Sequence, residues 1–466
     1  MNHLLKAMGF WVWGLVAIGL SISMVSMSYR LVALYRAHEI QAHSVSSPAP
    51  GSPDFPALAR SENKPAAANI DSQRIPAGQP MVSRILASDI KAAQTALQNE
   101  QWPEALKNLA AAAAKSPLTA YDLKTIEEYQ GIAYVRLNNL KAAQAAYEAA
   151  LATGAFKAED LVKVFRLLFQ LAAANKQDVK AIEYGERAAA AGAATENDLL
   201  IMSQLQYQQH DCKNSAVWGD KAIAAFKEAG EPPKEVLYQL KLQCASNGND
   251  VAAMKAALVD LIRLTNRASY WSNLIRLERQ DERDDQNTLM IYRVMFDTHS
   301  MNADTDYIEM AQLLGDAGLP GEAQVVLEKA MSAGVVKDEH KERTTRLLNA
   351  LKTRAEADAN GLASLNAEAA KNAAGTVDVK LGEVYFGAGD HRDAADAIKR
   401  GLGKGQVRPL DEAYVYLGRS LTAEKDPEGA KQAFAKLRSL PTLSPRVLKL
   451  WNLYADMLPE TVSQPL

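Results

Sequence analysis

Apolar and small residues recur along most of this chain in short stretches that fit the 3.6-residue period of amphipathic helices. A turn signal follows each stretch, as in residues 129–151, where YQGIAYVR is followed by a turn at NN and then by LKAAQAAYEAAL. Apolar residues make up 48% of the chain and aromatic residues only 7%, and alanine, the best helix former, supplies much of the difference. Valine and isoleucine are sparse after residue 90, so the pattern predicts an all-α body.

Glycine, aromatic and small residues also recur at fixed distances within this pattern. The sequence pattern predicted for the second helix of each hairpin recurs about every 36 residues. It falls near positions 105, 143, 181, 215, 252, 287, 323, 358, 394 and 430, and the positions near 252, 287 and 358 are interpolated. We expect the small residues to lie where two helices cross closely and the large ones to fill the space between them. The residues that define this packing frame are Gly131, Tyr134, Ala143, Tyr147, Ala150, Ala323, Ala330, Gly382, Tyr385, Ala394, Gly418, Ala430 and Phe434.

The frame resembles that of the tetratricopeptide repeat family, whose helix-turn-helix unit has a period of about 34 residues. The resemblance covers about residues 85–442 and implies a right-handed superhelix of about ten repeats. The family's usual tryptophan early in the first helix and proline at the end of the unit are mostly absent. We expect an array over residues 85–350, a degenerate repeat or hinge over 351–375, further repeats over 376–443, and a capping helix and tail over 444–466.

The N-terminal region has a different pattern. Residues 7–29 carry no charge and are about long enough to cross a bilayer as a helix, and the helical pattern continues to Arg36. We therefore expect a transmembrane anchor within residues 1–36, followed by a disordered Pro/Ala/Ser-rich linker over 37–84. The alternative is a signal peptide that is cleaved after residues 26–28.

The charges beside this segment do not settle its orientation. Lys6 and the amino terminus precede it, while Arg30 and Arg36 follow it, so the positive-inside count is nearly balanced. A long spacer between one anchor and a folded body suits a protein that reaches into a bacterial cell envelope. We therefore expect a single-pass inner-membrane protein whose repeat body is periplasmic.

The chain has two cysteines, Cys212 and Cys244. Cys212 falls in the turn of one predicted unit and Cys244 near the end of the first helix of the next, so the two can meet if successive first helices run side by side. A disulfide between them would indicate an oxidising compartment. The alternative is a pair of unrelated buried thiols.

The sequence offers little catalytic chemistry. The net charge of −3 gives no reason to expect nucleic-acid binding, which requires a basic face. The seven histidines form no metal-ligand pair at helical spacing, and the chain contains no H-E-x-x-H, C-x-x-C, G-x-S-x-G or phosphate-loop motif. We therefore expect no catalytic residues, no cofactor and no metal.

The resemblance to tetratricopeptide repeats implies a protein interaction scaffold that binds a client protein or peptide in the concave groove of its superhelix. The client would belong to a membrane complex. Two alternatives remain: a carrier or chaperone for an apolar or lipid-like ligand, and an enzyme whose polar site is gathered from distant repeats. A polar groove would favour peptide binding, whereas exposed aromatic residues among small ones would favour the carrier.

Overall fold

The computed structural model describes residues 81–280, 282–440 and 442–460, and these form α-helices joined by short turns. Two 3₁₀ segments, Arg84–Leu86 and Lys436–Ser439, accompany them. In chain order the helices are α1 (Ala87–Gln98), α2 (Trp102–Ala113), α3 (Ala120–Arg136), α4 (Leu140–Ala152), α5 (Ala158–Ala174), α6 (Asp178–Ala190), α7 (Glu196–Gln208), α8 (Cys212–Glu228), α9 (Glu235–Asn247), α10 (Val251–Thr265), α11 (Ala268–Arg279), α12 (Asp285–Asp297), α13 (Asp304–Asp316), α14 (Pro320–Ser332), α15 (Asp338–Lys371), α16 (Thr376–Ala388), α17 (His391–Lys404), α18 (Leu410–Ala423), α19 (Pro427–Ala435) and α20 (Pro445–Asp456).

Consecutive helices pack against each other as hairpins. Eight such pairs are tight in the described chain: α1–α2, α3–α4, α5–α6, α7–α8, α9–α10, α13–α14, α16–α17 and α18–α19. Nine of the ten predicted second-helix positions fall within the first four residues of α2, α4, α6, α8, α10, α12, α14, α17 and α19. The predicted all-α array of helix-turn-helix units is therefore confirmed.

One backbone device forms the turn of every tight hairpin. A single residue adopts a left-handed conformation there, and the residue after it donates its amide to a carbonyl five positions earlier, as Asn139 does to Tyr134 at 2.8 Å. The left-handed residues are Glu100, Asn138, Lys176, His210, Asn249, Gly318, Gly389 and Lys425. In several turns the next residue, Asn or Asp, then caps the second helix, for example Asp211 and Asp426.

The chain divides after Ala193 into two compact units. In the N-terminal unit, α1–α6 form three hairpins around small apolar clusters that include Ile90, Leu109 and Ile126 at one end and Tyr147 and Leu168 further along. In this unit the helices contact their neighbours in sequence. This is the contact pattern of a linear repeat array.

The C-terminal unit, α7–α20, has one extended apolar core that includes Trp271, Tyr292, Phe434 and Trp451. Unlike the N-terminal unit, it contains contacts between helices far apart in sequence, since α12 packs against α20. Phe434 stacks on Trp451 of α20 with ring centroids 5.0 Å apart. The last described helix therefore covers apolar surface of α19.

The predicted second-helix position near 358 is the exception, because no turn occurs there. Residues 338–371 instead form α15, one uninterrupted helix of 34 residues. Most of the segment 351–375, predicted as a degenerate repeat or hinge, lies inside this helix. The physical reason is local, because the second half of α15 contains no proline and much alanine, so nothing breaks the helical backbone.

Among the described residues, no helix is long and apolar enough to span a bilayer. The predicted membrane segment at residues 7–29 and the linker as far as residue 80 lie outside the described residues. The last four linker residues are described, and there Arg84 opens the 3₁₀ segment.

Candidate functional site

The glycines of the predicted frame lie where the two helices of a hairpin touch. A Cβ atom placed on each of them would lie 2.5 Å from a large side chain of the second helix. The pairs are Gly131 with Tyr147, Gly382 with Ile398, and Gly418 with Phe434. Each pair is 16 residues apart (147 − 131, 398 − 382, 434 − 418), which is why the sequence pattern repeats with one spacing.

The other residues of the frame also lie in these helix contacts. The alanines have no exposed surface, namely Ala143, Ala150, Ala323, Ala330, Ala394 and Ala430. Tyr134 and Tyr385 are half-buried near the ends of the first helices α3 and α16. All of these side chains position helices, and none of them carries a reactive group.

The structure brings the two cysteines together. The Sγ atoms of Cys212 and Cys244 lie 2.17 Å apart and their Cα atoms 5.5 Å apart. Cys212 is the first residue of α8, and Cys244 lies in the last turn of α9. A bond between them joins the second helix of one hairpin to the first helix of the next.

A group of buried charged side chains joins α12, α14 and α18. Arg293 donates to the Glu322 carboxylate at 3.0 and 3.3 Å and to the Tyr416 hydroxyl at 2.8 Å. Arg419 pairs with the same carboxylate and binds Asp297 through two nitrogens, at 2.8 and 3.0 Å. Arg293 is fully buried and Glu322 is only 4% exposed. We call these five residues the ionic cluster.

The members of the ionic cluster neutralise one another. Burial by itself would raise the pKa of Glu322, but Arg293 and Arg419 outweigh it and hold that pKa at about 2. Burial by itself would lower the pKa of Arg293, but Glu322 and the neighbouring oxygens raise it well above its ordinary value. The cluster therefore stays ionised at neutral pH, and its charges are used in packing.

The cluster holds together helices that are far apart in the sequence. Arg419 lies 122 residues after Asp297, and Gln286 of α12 donates to Asp411 of α18 across 125 residues. Near α20, the amide of Ser444 donates to the Asn287 side chain at 3.1 Å. Hydrogen bonds and ion pairs therefore join α12 to α18 and to the start of α20, and we call this arrangement the closure of α12–α20. Side chains of these helices fill the space between α12 and α18. No client peptide can occupy that space.

Beside the ionic cluster a cavity of about 350 Å³ lies between α14, α15 and α16. Small residues create it. Gly321 of α14 and Gly387 of α16 touch, since a Cβ on Gly321 would lie 3.0 Å from the Gly387 Cα. Ala355 and Ala359 of α15 form the opposite wall, where larger side chains would fill the space. Its volume falls within the range of about 300–1,000 Å³ that ligand pockets usually have.

The cavity lining is acidic. Its carboxylates are those of Glu322, Glu328, Glu356, Asp358 and Glu383, and its single cationic side chain is that of Lys380. The ionic cluster neutralises Glu322, and Lys352 binds Glu328 at 2.8 Å.

Glu383 is the most buried of the remaining carboxylates, with only 9% of its side chain exposed. Its Oε2 lies 3.2 Å from the Nζ of Lys380, with which it forms an ion pair. Burial raises the pKa of Glu383, Lys380 opposes this rise, and Glu412 adds to it. The surroundings of Glu383 therefore disfavour the ionised form of its carboxyl group.

Sequence reasoning missed both the ionic cluster and the cavity. Arg293 stands within the apolar run MIYRVMF, and Arg419 follows YVYLG. A lone arginine in such a run is the signal for a buried, paired charge. The cavity has no comparable signal, because it depends on small residues of three separate helices.

The comparisons with known proteins give structural matches only. No protein-family model matches the chain, and no curated protein matches it. Among solved structures, it is similar to a tetratricopeptide repeat protein from Parabacteroides merdae ATCC 43184, with 12% identity over 80% of this chain and 99% of that chain, at a TM-score of 0.29. It is similar to Naa15/Naa10 bound to HypK-THB, with 13% identity over 78% of this chain and 64% of that one, at a TM-score of 0.36.

A further match is the TPR2AB-domain:pHSP90 complex of yeast Sti1, with 14% identity over 57% of this chain and 98% of that chain, at a TM-score of 0.30. At these identities and TM-scores no statement about function follows, and the fold of this chain is established by its own helices. Tetratricopeptide repeat proteins are thus among the solved structures that this chain is similar to, as the spacing of its glycines, aromatic residues and alanines predicted.

Proposed function

We propose that this chain is a non-enzymatic interaction scaffold that holds a client protein at a bacterial inner membrane. The observation that carries the proposal is the stack of hairpins. Each hairpin buries its small residues against its neighbours and leaves its other side to solvent, so each of the two units offers exposed helix faces to a partner. The charged side chains of the ionic cluster pair with one another and serve in packing.

The tether is proposed from the N-terminal sequence. Residues 7–29 supply an uncharged segment of membrane-spanning length, and residues 37–84 supply a spacer that gives the body reach. Cys212 and Cys244 lie at bonding distance, which fits an oxidising compartment such as the periplasm. On this proposal the repeat body lies on the periplasmic side.

A carrier for lipid-like ligands is less well supported. The cavity beside α15 is lined by five carboxylates and one ammonium group, and an apolar ligand would have to bury these charges. A protein or peptide client can instead bring its own polar groups.

Two measurements on the full-length chain in bacterial cells test the proposal. A periplasm-active reporter fused to the C-terminus should be active, and the chain should stay in the membrane fraction after a high-salt wash. Removal of residues 1–36 should release it from that fraction. An inactive periplasmic reporter together with an active cytoplasmic one would refute the proposed topology.

The client is tested with photo-crosslinking residues placed on exposed side chains, one at Val325 and one at Val179, which are 42% and 73% exposed. A scaffold should give a discrete crosslinked band that contains one protein of the membrane fraction, at one or both positions. If neither position yields a discrete band at native expression level, the scaffold proposal is wrong for these surfaces.

A further inference from the structure

We propose that Lys329 is a site of covalent acylation, at which a small activated acyl donor such as a thioester or an acyl phosphate transfers its acyl group to the side-chain amine. The proposal goes beyond the scaffold function and does not depend on it. It rests on the side chains that surround this amine at the end of α12.

A base lies within hydrogen-bond reach of the amine. The Nζ of Lys329, on α14, is 3.0 Å from the Nδ1 of His299, which lies in the turn after α12. An ammonium group can only donate hydrogen bonds, so the imidazole nitrogen accepts and carries no proton. An amine that is paired with a proton acceptor in this way has the arrangement by which weak nucleophiles are activated.

An aromatic ring also fixes the position of the amine. The Nζ of Lys329 lies 4.2 Å from the centroid of the Phe296 ring, in the last turn of α12. The backbone amides of His299 and Ser300 donate to the carbonyls of Phe296 and Met295, at 3.1 and 3.0 Å. One hydrogen-bonded turn therefore holds both of the groups that contact the Lys329 amine.

Burial weakens the charged form of this amine. Lys329 is half-buried, and burial lowers its pKa. Asp297 opposes this effect, but its carboxylate is already bound by two nitrogens of Arg419, at 2.8 and 3.0 Å. More of the Lys329 amine is therefore unprotonated at neutral pH than that of a fully solvated lysine, and only the unprotonated amine is nucleophilic.

Acyl transfer to Lys329 needs no reagent besides the donor. The imidazole of His299 takes one proton from the ammonium group, and the nitrogen lone pair then attacks the carbonyl carbon of the donor. A carbon–nitrogen bond forms while the bond to the leaving group breaks, and the leaving group departs with that electron pair. A second proton passes from the nitrogen to water or to the leaving group. The product is a neutral amide, so the cation–π contact with Phe296 is lost.

The test compares the acetylation rates of individual lysines in the full-length chain in mild detergent. The donor is p-nitrophenyl acetate at pH 7, and after denaturation the remaining amines receive deuterated acetyl groups, so the isotope ratio of each peptide gives the extent of reaction. We expect Lys329 to react at least about 10-fold faster than Lys399, an exposed lysine of α17, because a positioned base typically accelerates such steps by about 10²–10⁴-fold. Lys329 is the less exposed of the two, so accessibility does not explain this result. Equal or slower acetylation of Lys329 would overturn the proposal.

A matched pair of histidine variants tests the base. His299→Asn removes the proton acceptor and keeps a residue that tolerates left-handed backbone, so it should lower the Lys329 rate by about 10-fold and leave the Lys399 rate unchanged. His210→Asn is the control, because His210 is also exposed and left-handed, with φ of 60° against 55° at His299. It should change neither rate. If His299→Asn leaves the Lys329 rate unchanged, His299 is not the base and the proposal is wrong.

Unfolding cannot produce the expected result. Loss of structure at the α12–α13 turn would expose Lys329 and bring its rate towards that of Lys399, and the melting temperatures of both histidine variants measure any such loss. Lys329→Arg keeps the positive charge and removes the reactive amine. At a limiting concentration of donor, this variant should lose the early singly acetylated form from its intact mass spectrum. Persistence of that form would place the reactive group elsewhere and overturn the proposal.

Discussion

Arg293 donates a hydrogen bond to the hydroxyl of Tyr416 at 2.8 Å, although 123 residues separate the two in the sequence. Both side chains are fully buried, and both contact Glu322. A linear repeat array needs no such contact, because each of its units packs only on its neighbours. The hydrogen bond between Arg293 and Tyr416 therefore shows that helices α12–α20 make contacts between residues far apart in the sequence, unlike the hairpins of the N-terminal unit.

Replacing Glu322 with glutamine should strongly destabilise the C-terminal unit. The substitution leaves Arg293 and Arg419 buried without their shared counter-charge, and breaking a buried pair in this way costs roughly 3–5 kcal/mol. The urea midpoint of unfolding measures the effect. Glu328→Gln is the control, because its pair with Lys352 is 41% exposed on each side and should contribute less than about 1 kcal/mol. Similar shifts for the two variants would contradict the structural role of the cluster.

Acid should remove the stabilisation that Glu322 provides. Its pKa is about 2 in the folded chain against an ordinary 4.5, so the ionised form is favoured by folding. This contribution is complete above about pH 5 and declines as the pH falls towards 2. The free-energy difference between the wild-type chain and Glu322→Gln, measured by urea unfolding, should therefore shrink over that interval. A difference that stays constant from pH 7 to pH 3 would refute this.

Gly418→Ala should destabilise the α18–α19 hairpin by roughly 1–3 kcal/mol. Its new methyl group would lie 2.5 Å from the Phe434 ring, so the helices must move apart. Gly361→Ala on α15 is the matched control, because nothing lies within 4 Å of its added Cβ. That change should stabilise the chain by about 0.5–1 kcal/mol through helix propensity. Thermal unfolding followed by circular dichroism distinguishes the two, and shifts of the same sign would be inconsistent with the packing described.

Lys425→Gly should stabilise the chain even though it removes a side chain. Lys425 is exposed and has a φ of 62°, which costs a residue with a Cβ about 1–2 kcal/mol. Glycine removes this cost but loses about 0.5–1 kcal/mol of chain entropy, so the net gain is modest. The same replacement at Lys399, exposed within α17, should instead destabilise by about 1 kcal/mol. Chemical denaturation of the two variants measures the contrast, and a destabilised Lys425→Gly would show that the turn is not strained.

Reductant should change both the mass and the stability of the chain as isolated from an oxidising compartment. Intact mass should rise by two hydrogens when the bond between Cys212 and Cys244 is reduced. Closing a loop of 32 residues in this way typically stabilises by about 2–4 kcal/mol, so the melting temperature should fall. The double variant Cys212→Ser/Cys244→Ser should not respond to reductant. An unchanged mass would mean that the cysteines are not bonded in the isolated protein.

Much of the fold was predictable because it is local. The contacts of Gly131 with Tyr147 and of Gly418 with Phe434 join helices that are close in sequence, so they recur with one spacing and leave a visible pattern. The interpolated second-helix position near 358 was wrong, because the 36-residue spacing of the other repeats cannot show that one repeat has no turn. There the alanine-rich backbone of α15 continues as a helix, as its local composition favours.

The ionic cluster and the cavity could not be found in the same way. Arg293 and Tyr416 are paired by how successive units are stacked, and the rotation between units is set by side-chain packing at every step. The total rotation between the hairpins that carry Arg293 and Tyr416 therefore leaves no regular spacing in the sequence. The negative cavity likewise depends on Gly321 and Gly387 touching beneath α15, and this contact exists only after three helices have assembled.

The closure of α12–α20 limits how this protein can change its length. An additional hairpin inserted between α4 and α5 would only extend a row of neighbours, because the helices there contact those next to them in sequence. An additional hairpin between α17 and α18 would carry Tyr416 and Arg419 away from Glu322 and would break the ion pairs of Arg419 with Glu322 and Asp297. Repeat proteins usually grow by duplication of hairpins. The structure therefore accommodates such a duplication between α4 and α5, but not within α12–α20.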